Sequence, residues 1–177
     1  MAIDFNGKLV NLLPNLRRFA LTLCKSRDVA DDLVQQTCQK AIINKTSFEP
    51  GTRMDAWLFR ILRNTWIDMK RRQQTEGTQI DIDQEPVMPR YDGETAVESR
   101  LMLERTFNEI EALPDEQREV LLLVCVEELS YKEAADVLDA PIGTVMSRLA
   151  RARQKLTENL GINNAAKRSP SDERKKG

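Results

Sequence analysis

Residues 130–156 read SYKEAADVLDAPIGTVMSRLARARQKL, and this stretch decides the fold. Ser130 followed three residues later by Glu133 is a capping box, in which the serine oxygen and the glutamate satisfy backbone N–H groups that a helix start leaves without partners. A short helix then places Ala134, Val137 and Leu138 on one apolar side. Residues 139–143 (DAPIG) form a tight turn. A longer helix follows, with Ile142, Val145, Leu149, Ala152 and Leu156 as its expected buried set. Subtracting that set leaves Thr144, Ser147, Arg148, Arg151 and Lys155 on one outward face. A capped helix, a turn and a longer helix with a basic face are the layout of a helix-turn-helix. A helix of this width fits the DNA major groove, where hydroxyls and guanidinium groups bond phosphates and base edges. Charge alone would fit a solvated helix in an ordinary bundle equally well; cap, turn and basic face together favour DNA.

Upstream of this motif, Leu113-Pro114-Asp115-Glu116 starts another helix, with a proline and acids at its beginning, and the helix runs on through the apolar residues 120–126. Val97, Leu101, Phe107 and Ile110 suggest a helix before that. Residues 75–95 (TEGTQIDIDQEPVMPRYDGET) have no helical period and carry prolines, glycines and acids, so they read as a linker. The expected organisation is therefore an N-terminal block over residues 1–74, a linker over 75–95, a C-terminal block over 96–160, and a polar, disordered tail over 161–177. The fold class is all-α: two small helical domains joined by a flexible acidic linker, the second containing the helix-turn-helix.

In the N-terminal block, Val29, Ala30, Leu33, Val34, Thr37, Cys38, Ala41 and Ile42 form one stripe of a helix. Its opposite face carries Asp31, Asp32, Gln35, Gln36, Gln39 and Lys40. A connector over 44–52 with a Pro50-Gly51 turn leads to a helix over 54–72. Its stripe is Met54, Trp57, Leu58, Ile61, Leu62, Thr65, Trp66 and Met69, which makes both tryptophans core residues. Its other face shows Arg60, Arg63, Asn64, Ile67, Lys70 and Arg71, a basic surface suited to DNA, with Asn64 able to read a base edge. The Asp31/Asp32/Gln35/Gln36 face is either plainly solvated or a dock for a basic partner.

Charge is segregated along the chain. Residues 60–72 hold five bases and one acid, residues 76–111 ten acids and three bases, and residues 144–155 four bases and no acid, although the net charge is only −1. Of the 177 residues, 41% are hydrophobic and 31% charged, which suits small cores with much surface. There is no histidine, which excludes histidine acid–base chemistry and the common Cys/His zinc sites. No phosphate-binding glycine loop is present. No catalytic residue, metal ligand or cofactor is therefore expected. The three cysteines, Cys24, Cys38 and Cys125, read as small buried thiols in a reducing compartment. No apolar run is long enough to cross a bilayer, and MAIDFNGK lacks the layout of a signal peptide, so a cytoplasmic protein without membrane insertion is expected.

These residues resemble a known family. SYKEAADVLDAPIGTVMSRLARARQKL is similar to the promoter-reading helix-turn-helix of extracytoplasmic-function sigma factors of bacterial RNA polymerase, and ALPDEQREVLLL matches the same domain. ADDLVQQTCQKA resembles the family's polymerase-docking helix. SFEPGTRMDAWLFRILRNTWIDMKRR resembles the segment that reads and opens the promoter −10 element, and its wording is also similar to the alphaproteobacterial general-stress subgroup. The resemblance implies a sigma factor that binds core polymerase and directs promoter-specific initiation without catalysing a reaction. It implies that Asp31, Asp32, Gln35 and Gln36 grip the clamp of the β′ subunit. Residues 44–53 would capture a flipped base, and Arg53, Arg60, Arg63, Asn64, Lys70 and Arg71 would contact −10 DNA. The helix bearing Thr144, Ser147, Arg148, Arg151 and Lys155 would enter the −35 major groove. An anti-sigma protein is implied as a further partner. Met146 and Ala150 depart from residues common in the family, so base preference does not transfer. A sigma mimic that only titrates an anti-sigma protein would be expected to carry a receiver domain of alternating strands and helices, which is not seen here. A nuclease would need a clustered set of metal-binding carboxylates, whereas the acids here are spread over helix faces and the linker.

Overall fold

The computed structural model describes residues 4–77 and 97–162. Among these residues the regular structure is helical. The N-terminal half holds α1 (Phe5–Asn11), α2 (Leu13–Cys24), α3 (Arg27–Ile43) and α4 (Met54–Glu76). The C-terminal half holds α5 (Val97–Glu111), α6 (Asp115–Leu121), α7 (Tyr131–Leu138) and α8 (Ile142–Leu160).

Helices α2, α3 and α4 pack on one another because each offers an apolar stripe to the others. Phe19 of α2 meets Phe59 of α4 edge to face, with ring centroids 5.2 Å apart, and both are fully buried. The hydroxyls of Thr37 and Thr65, also buried, donate to the carbonyls of Leu33 and Ile61, so neither is left without a partner. Trp66 is buried as expected, whereas Trp57 is half-buried in an aromatic cluster with Phe5 and Phe48. The connector between α3 and α4 contains one 3₁₀ turn (Lys45–Ser47), and Gly51 takes a φ of 93°, which a side chain would resist. Helix α4 continues to Glu76 and stops at Gly77 in the left-handed conformation, so the first residues assigned to the linker are helical. The rest of that stretch, 78–96, and the tail from residue 163 lie outside the described residues.

In the C-terminal half, α6 passes directly into a π-helical turn (Leu122–Val126), where the Glu127 N–H donates to the Leu122 carbonyl at 3.0 Å. The capping box of α7 is formed in full: Ser130 N–H donates to Glu133 at 2.8 Å, and Glu133 N–H to the Ser130 hydroxyl at 3.2 Å. Asp139 closes α7 with a φ of 49°, turning the chain into α8. Val145, Leu149 and Ala152 are buried against α6 and α7, but Ile142 at the start of α8 is exposed, because the first turn overhangs the core. Val97 and Leu101, toward the N-terminal end of α5, are likewise exposed, although α5 packs on α8. Cys24 is buried and Cys38 half-buried, but Cys125 is exposed, because its place in the π-helical turn lies on the outer surface, and Arg153 Nη2 is 3.6 Å from its sulfur.

The two halves are in contact, α2 on α6 and α4 on α7, and their buried apolar residues form one continuous cluster.

Candidate nucleic-acid and polymerase interfaces

The turn between α7 and α8 fixes where the basic face of α8 looks. Thr144, Ser147, Arg148, Arg151 and Lys155 fall at i, i+3, i+4, i+7 and i+11 and share one side of the helix. Ser147, Arg151 and Lys155 are exposed, while Thr144 and Arg148 are half-buried. The Ser147 hydroxyl donates to the Thr144 carbonyl at 3.0 Å. Arg148 is drawn to α6, with Nη2 2.8 Å from Glu116. Arg151 and Lys155 make no ion pair among the described residues.

On α4, Arg60, Asn64, Lys70 and Arg71 are exposed on one side. Lys70 Nζ lies 5.8 Å from the centre of the Trp66 ring. Arg53 and Arg63 belong to the same expected set but are turned toward the C-terminal half. Arg63 Nε donates to Glu119 of α6 at 3.1 Å. Arg53, just before α4, pairs with Asp55 and donates to the main-chain carbonyls of Glu127 at 2.9 Å and Glu128 at 2.7 Å. Those carbonyls end the π-helical turn, and Arg53 serves as their cap.

On α3, Asp31, Asp32 and Gln35 are exposed and Gln36 is half-buried. Asp31 pairs with Arg17 at 2.8 Å, and Gln36 donates to Asp32 at 2.9 Å, which holds three of the four in defined positions. Lys40, on the same face, instead reaches across to α4 and donates to Thr65 at 3.0 Å. The structure thus yields three surfaces on three helices and brings Arg53 and Arg63 into the seam between the halves.

That seam contains residues that no sequence motif singles out. The Glu127 carboxylate is almost wholly buried, and it accepts from Arg18 at 2.7 Å and Asn15 at 2.6 Å. Arg118 is fully buried; it donates to the carbonyls of Glu111 and Leu113 at 2.9 and 3.0 Å, pairs with Asp115, and reaches the Thr22 carbonyl of α2 at 3.4 Å. The one trace of it in the sequence is its spacing from Leu122, four residues on and buried on the same side. Burial pushes the Glu119 carboxyl above its ordinary value, and the neighbouring Arg63 only partly restores it.

Two family models match the chain: sigma-70 region 2 over residues 9–76 and sigma-70 region 4 over residues 103–156. The ECF RNA polymerase sigma factor EcfG of Rhodopseudomonas palustris is 38% identical over 160 residues, spanning 90% of this chain and 87% of that protein. Among solved structures, the sigma factor RpoE in complex with the anti-sigma factor NepR from Bartonella quintana superposes with a TM-score of 0.73 at 34% identity, covering 90% of this chain and 98% of that one. CnrH in complex with the cytosolic domain of CnrY gives 0.60 at 28% identity, covering 90% and 88%. The basic face of α8 falls within the region 4 match, and the α3 and α4 faces within the region 2 match. The chain belongs to the extracytoplasmic-function sigma factors, which direct promoter-specific initiation of transcription.

Proposed function

We propose that this chain binds core RNA polymerase through Asp31, Asp32, Gln35 and Gln36 on α3, reads and helps melt −10 DNA with Arg53, Arg60, Arg63, Asn64, Lys70 and Arg71, and reads the −35 element with Thr144, Ser147, Arg148, Arg151 and Lys155. In this reading residues 1–74 are the polymerase-docking and −10 domain, 96–160 the −35 domain and 75–95 the link between them. The chain acts in the cytoplasm, where polymerase is, and contributes no catalytic group of its own. The observation that carries the reading is the pair of exposed basic helix faces, one on α4 and one on α8, each inside its matched sigma region.

An anti-sigma protein is proposed as a further partner: the sigma factor RpoE, to which this chain is similar, was solved bound to the anti-sigma factor NepR, and CnrH, also similar, was solved bound to the cytosolic domain of CnrY. The likeness to EcfG and to the NepR-bound RpoE favours the general-stress subgroup. Run-off transcription with core polymerase and a panel of promoters tests the function. A promoter-specific transcript that depends on the chain is the expected result, and its absence on every template would refute the reading. Loss of transcription with retained DNA binding on Asp31→Ala with Asp32→Ala would place the polymerase contact on α3.

A further inference from the structure

Helix α8 exposes more surface than its basic face accounts for. Gly143, Ser147, Ala150 and Gln154 are exposed along the line opposite the buried Val145, Leu149 and Ala152. Thr144, Arg148, Arg151 and Lys155 border that line on one side. On the other side the border is apolar: Ile142 and Met146 are 45% and 50% exposed, and steps of four residues carry them into Ala150. The packing of the domain does not account for this strip. A Cβ added at Gly143 would meet nothing within 4 Å, so the fold does not require a glycine there, although a glycine inside a helix costs stability. Its bare backbone and the single methyl of Ala150 let another molecule come close on either side of Met146. The Ser147 hydroxyl already donates to the Thr144 carbonyl at 3.0 Å, which leaves its oxygen as an acceptor.

We propose that Met146 determines base specificity: it selects a thymine of the −35 element through the C5 methyl group, with Ser147 accepting from the amino group of an adenine beside it. The inference rests on the assignment of α8 to the −35 major groove. An uncharged thioether offers a phosphate nothing, and the floor of the major groove presents one apolar group, the thymine methyl. Methionine suits that target, being unbranched, polarisable and able to adjust to a small apolar contact. Over a G·C pair the same side chain would strip water from guanine O6 or the cytosine amino group and return no hydrogen bond. Ser147 adds to the preference for a separate reason. The major-groove edge of guanine carries only acceptors, which a hydroxyl whose proton is already engaged cannot serve, whereas adenine presents an amino donor. Two adjacent residues thus favour A·T pairs, one by apolar contact and one by hydrogen bonding.

The test uses holoenzyme assembled from the full chain and core polymerase, with a synthetic, unmethylated duplex pool randomised upstream of the start region, so that thymine is the one source of a C5 methyl. Retained duplexes are expected to share an upstream element that contains a thymine. Replacing that thymine by deoxyuridine removes the methyl alone and should weaken binding about fourfold, the loss of one buried methyl group. Met146→Ala should bind the two templates equally, and Met146→Leu, which keeps an apolar side chain, should retain most of the difference. Arg151→Ala should weaken binding to both templates and leave their ratio as it was. An element without thymine, no penalty from deoxyuridine at any of its thymines, or an unchanged penalty in Met146→Ala each overturns the inference. If no upstream element is shared, or if Arg151→Ala and Met146→Ala both bind every duplex as wild type does, the −35 assignment of α8 fails and the inference with it. If Arg151→Ala weakens binding while Met146→Ala keeps the deoxyuridine penalty, only the inference fails. Poorer assembly of Met146→Ala with core polymerase, with the penalty retained, assigns the apolar strip to a protein partner instead.

Discussion

Arg148 of the recognition helix lies 2.8 Å from Glu116 in the first turn of α6, so a residue expected to meet DNA is held by its own domain. Its neighbour one turn on, Arg151, is exposed and makes no ion pair among the described residues. The two arginines should therefore differ on truncation. Arg151→Ala is expected to cost about 1–3 kcal/mol in affinity for a −35 duplex. Arg148→Ala should cost less, since DNA must first displace Glu116. That displacement is a small term, because the carboxylate is mostly exposed and such pairs are worth about 0–1 kcal/mol. Anisotropy titrations of both variants and of Glu116→Ala check this; Glu116→Ala should bind slightly tighter, and equal losses from both arginines would contradict the ordering.

Ser130 supports the helix-turn-helix from its start. Removing its hydroxyl frees the Glu133 N–H and breaks one half of the capping box. Ser130→Ala is expected to destabilise the protein by about 0.5–2 kcal/mol, with the −35 domain most affected. Urea titration followed by circular dichroism measures it, and an unchanged midpoint would mean the cap contributes nothing.

Glu119 ties stability to pH in a direction opposite to that of an ordinary paired carboxylate. Burial, the largest influence, raises it; Arg63 and Arg148 pull it back, and Asp115 adds to the rise. The folded protein therefore holds this proton more tightly than the unfolded chain does. Its contribution to stability is greatest at acid pH, below the ordinary carboxylate range, and is lost as pH climbs through the raised folded value. The difference in melting temperature between Glu119→Gln and wild type should accordingly move in the variant's favour from acid to neutral pH. A difference that stays flat, or moves the other way, would show that the ion pair with Arg63 outweighs desolvation.

The three thiols should separate by reactivity. Cys125 is exposed beside Arg153, whereas burial pushes the Cys24 and Cys38 thiols up and keeps them protonated. Alkylation of the native protein followed by peptide mass mapping should label Cys125 first and leave Cys24 until the protein unfolds. Early labelling at Cys24 would contradict the packing of α2.

The helices from α3 onward were legible because period and punctuation agree: Ser130 and Glu133 mark the start of α7, Pro114 precedes α6, and the stripe of α4 continues from Met54 to Met69. The first two helices leave a weaker trace. Pro14 interrupts their apolar run, and Leu12 opens α2 without a side-chain cap. The exposed basic and acidic faces were legible by subtracting the apolar stripes. The seam was not. Its pairs join residues 56, 109 and 112 positions apart, and a periodic pattern reports only on neighbours within a few turns. The widened turn that exposes Cys125 was hidden for a related reason: its apolar residues suit an α-helix as well as a π-helix.

Arg53 grips main chain rather than side chain, and this bears on how the two domains can be recombined. Every residue carries a carbonyl, so a −35 domain grafted from a relative would still present acceptors to Arg53 as long as its backbone turned in the same way. The Arg63–Glu119 pair and the Arg18 and Asn15 bonds to Glu127 depend on side-chain identity and would be lost or kept one substitution at a time. Chimeras of these sigma factors should therefore share one docking pose while differing in how firmly they hold it.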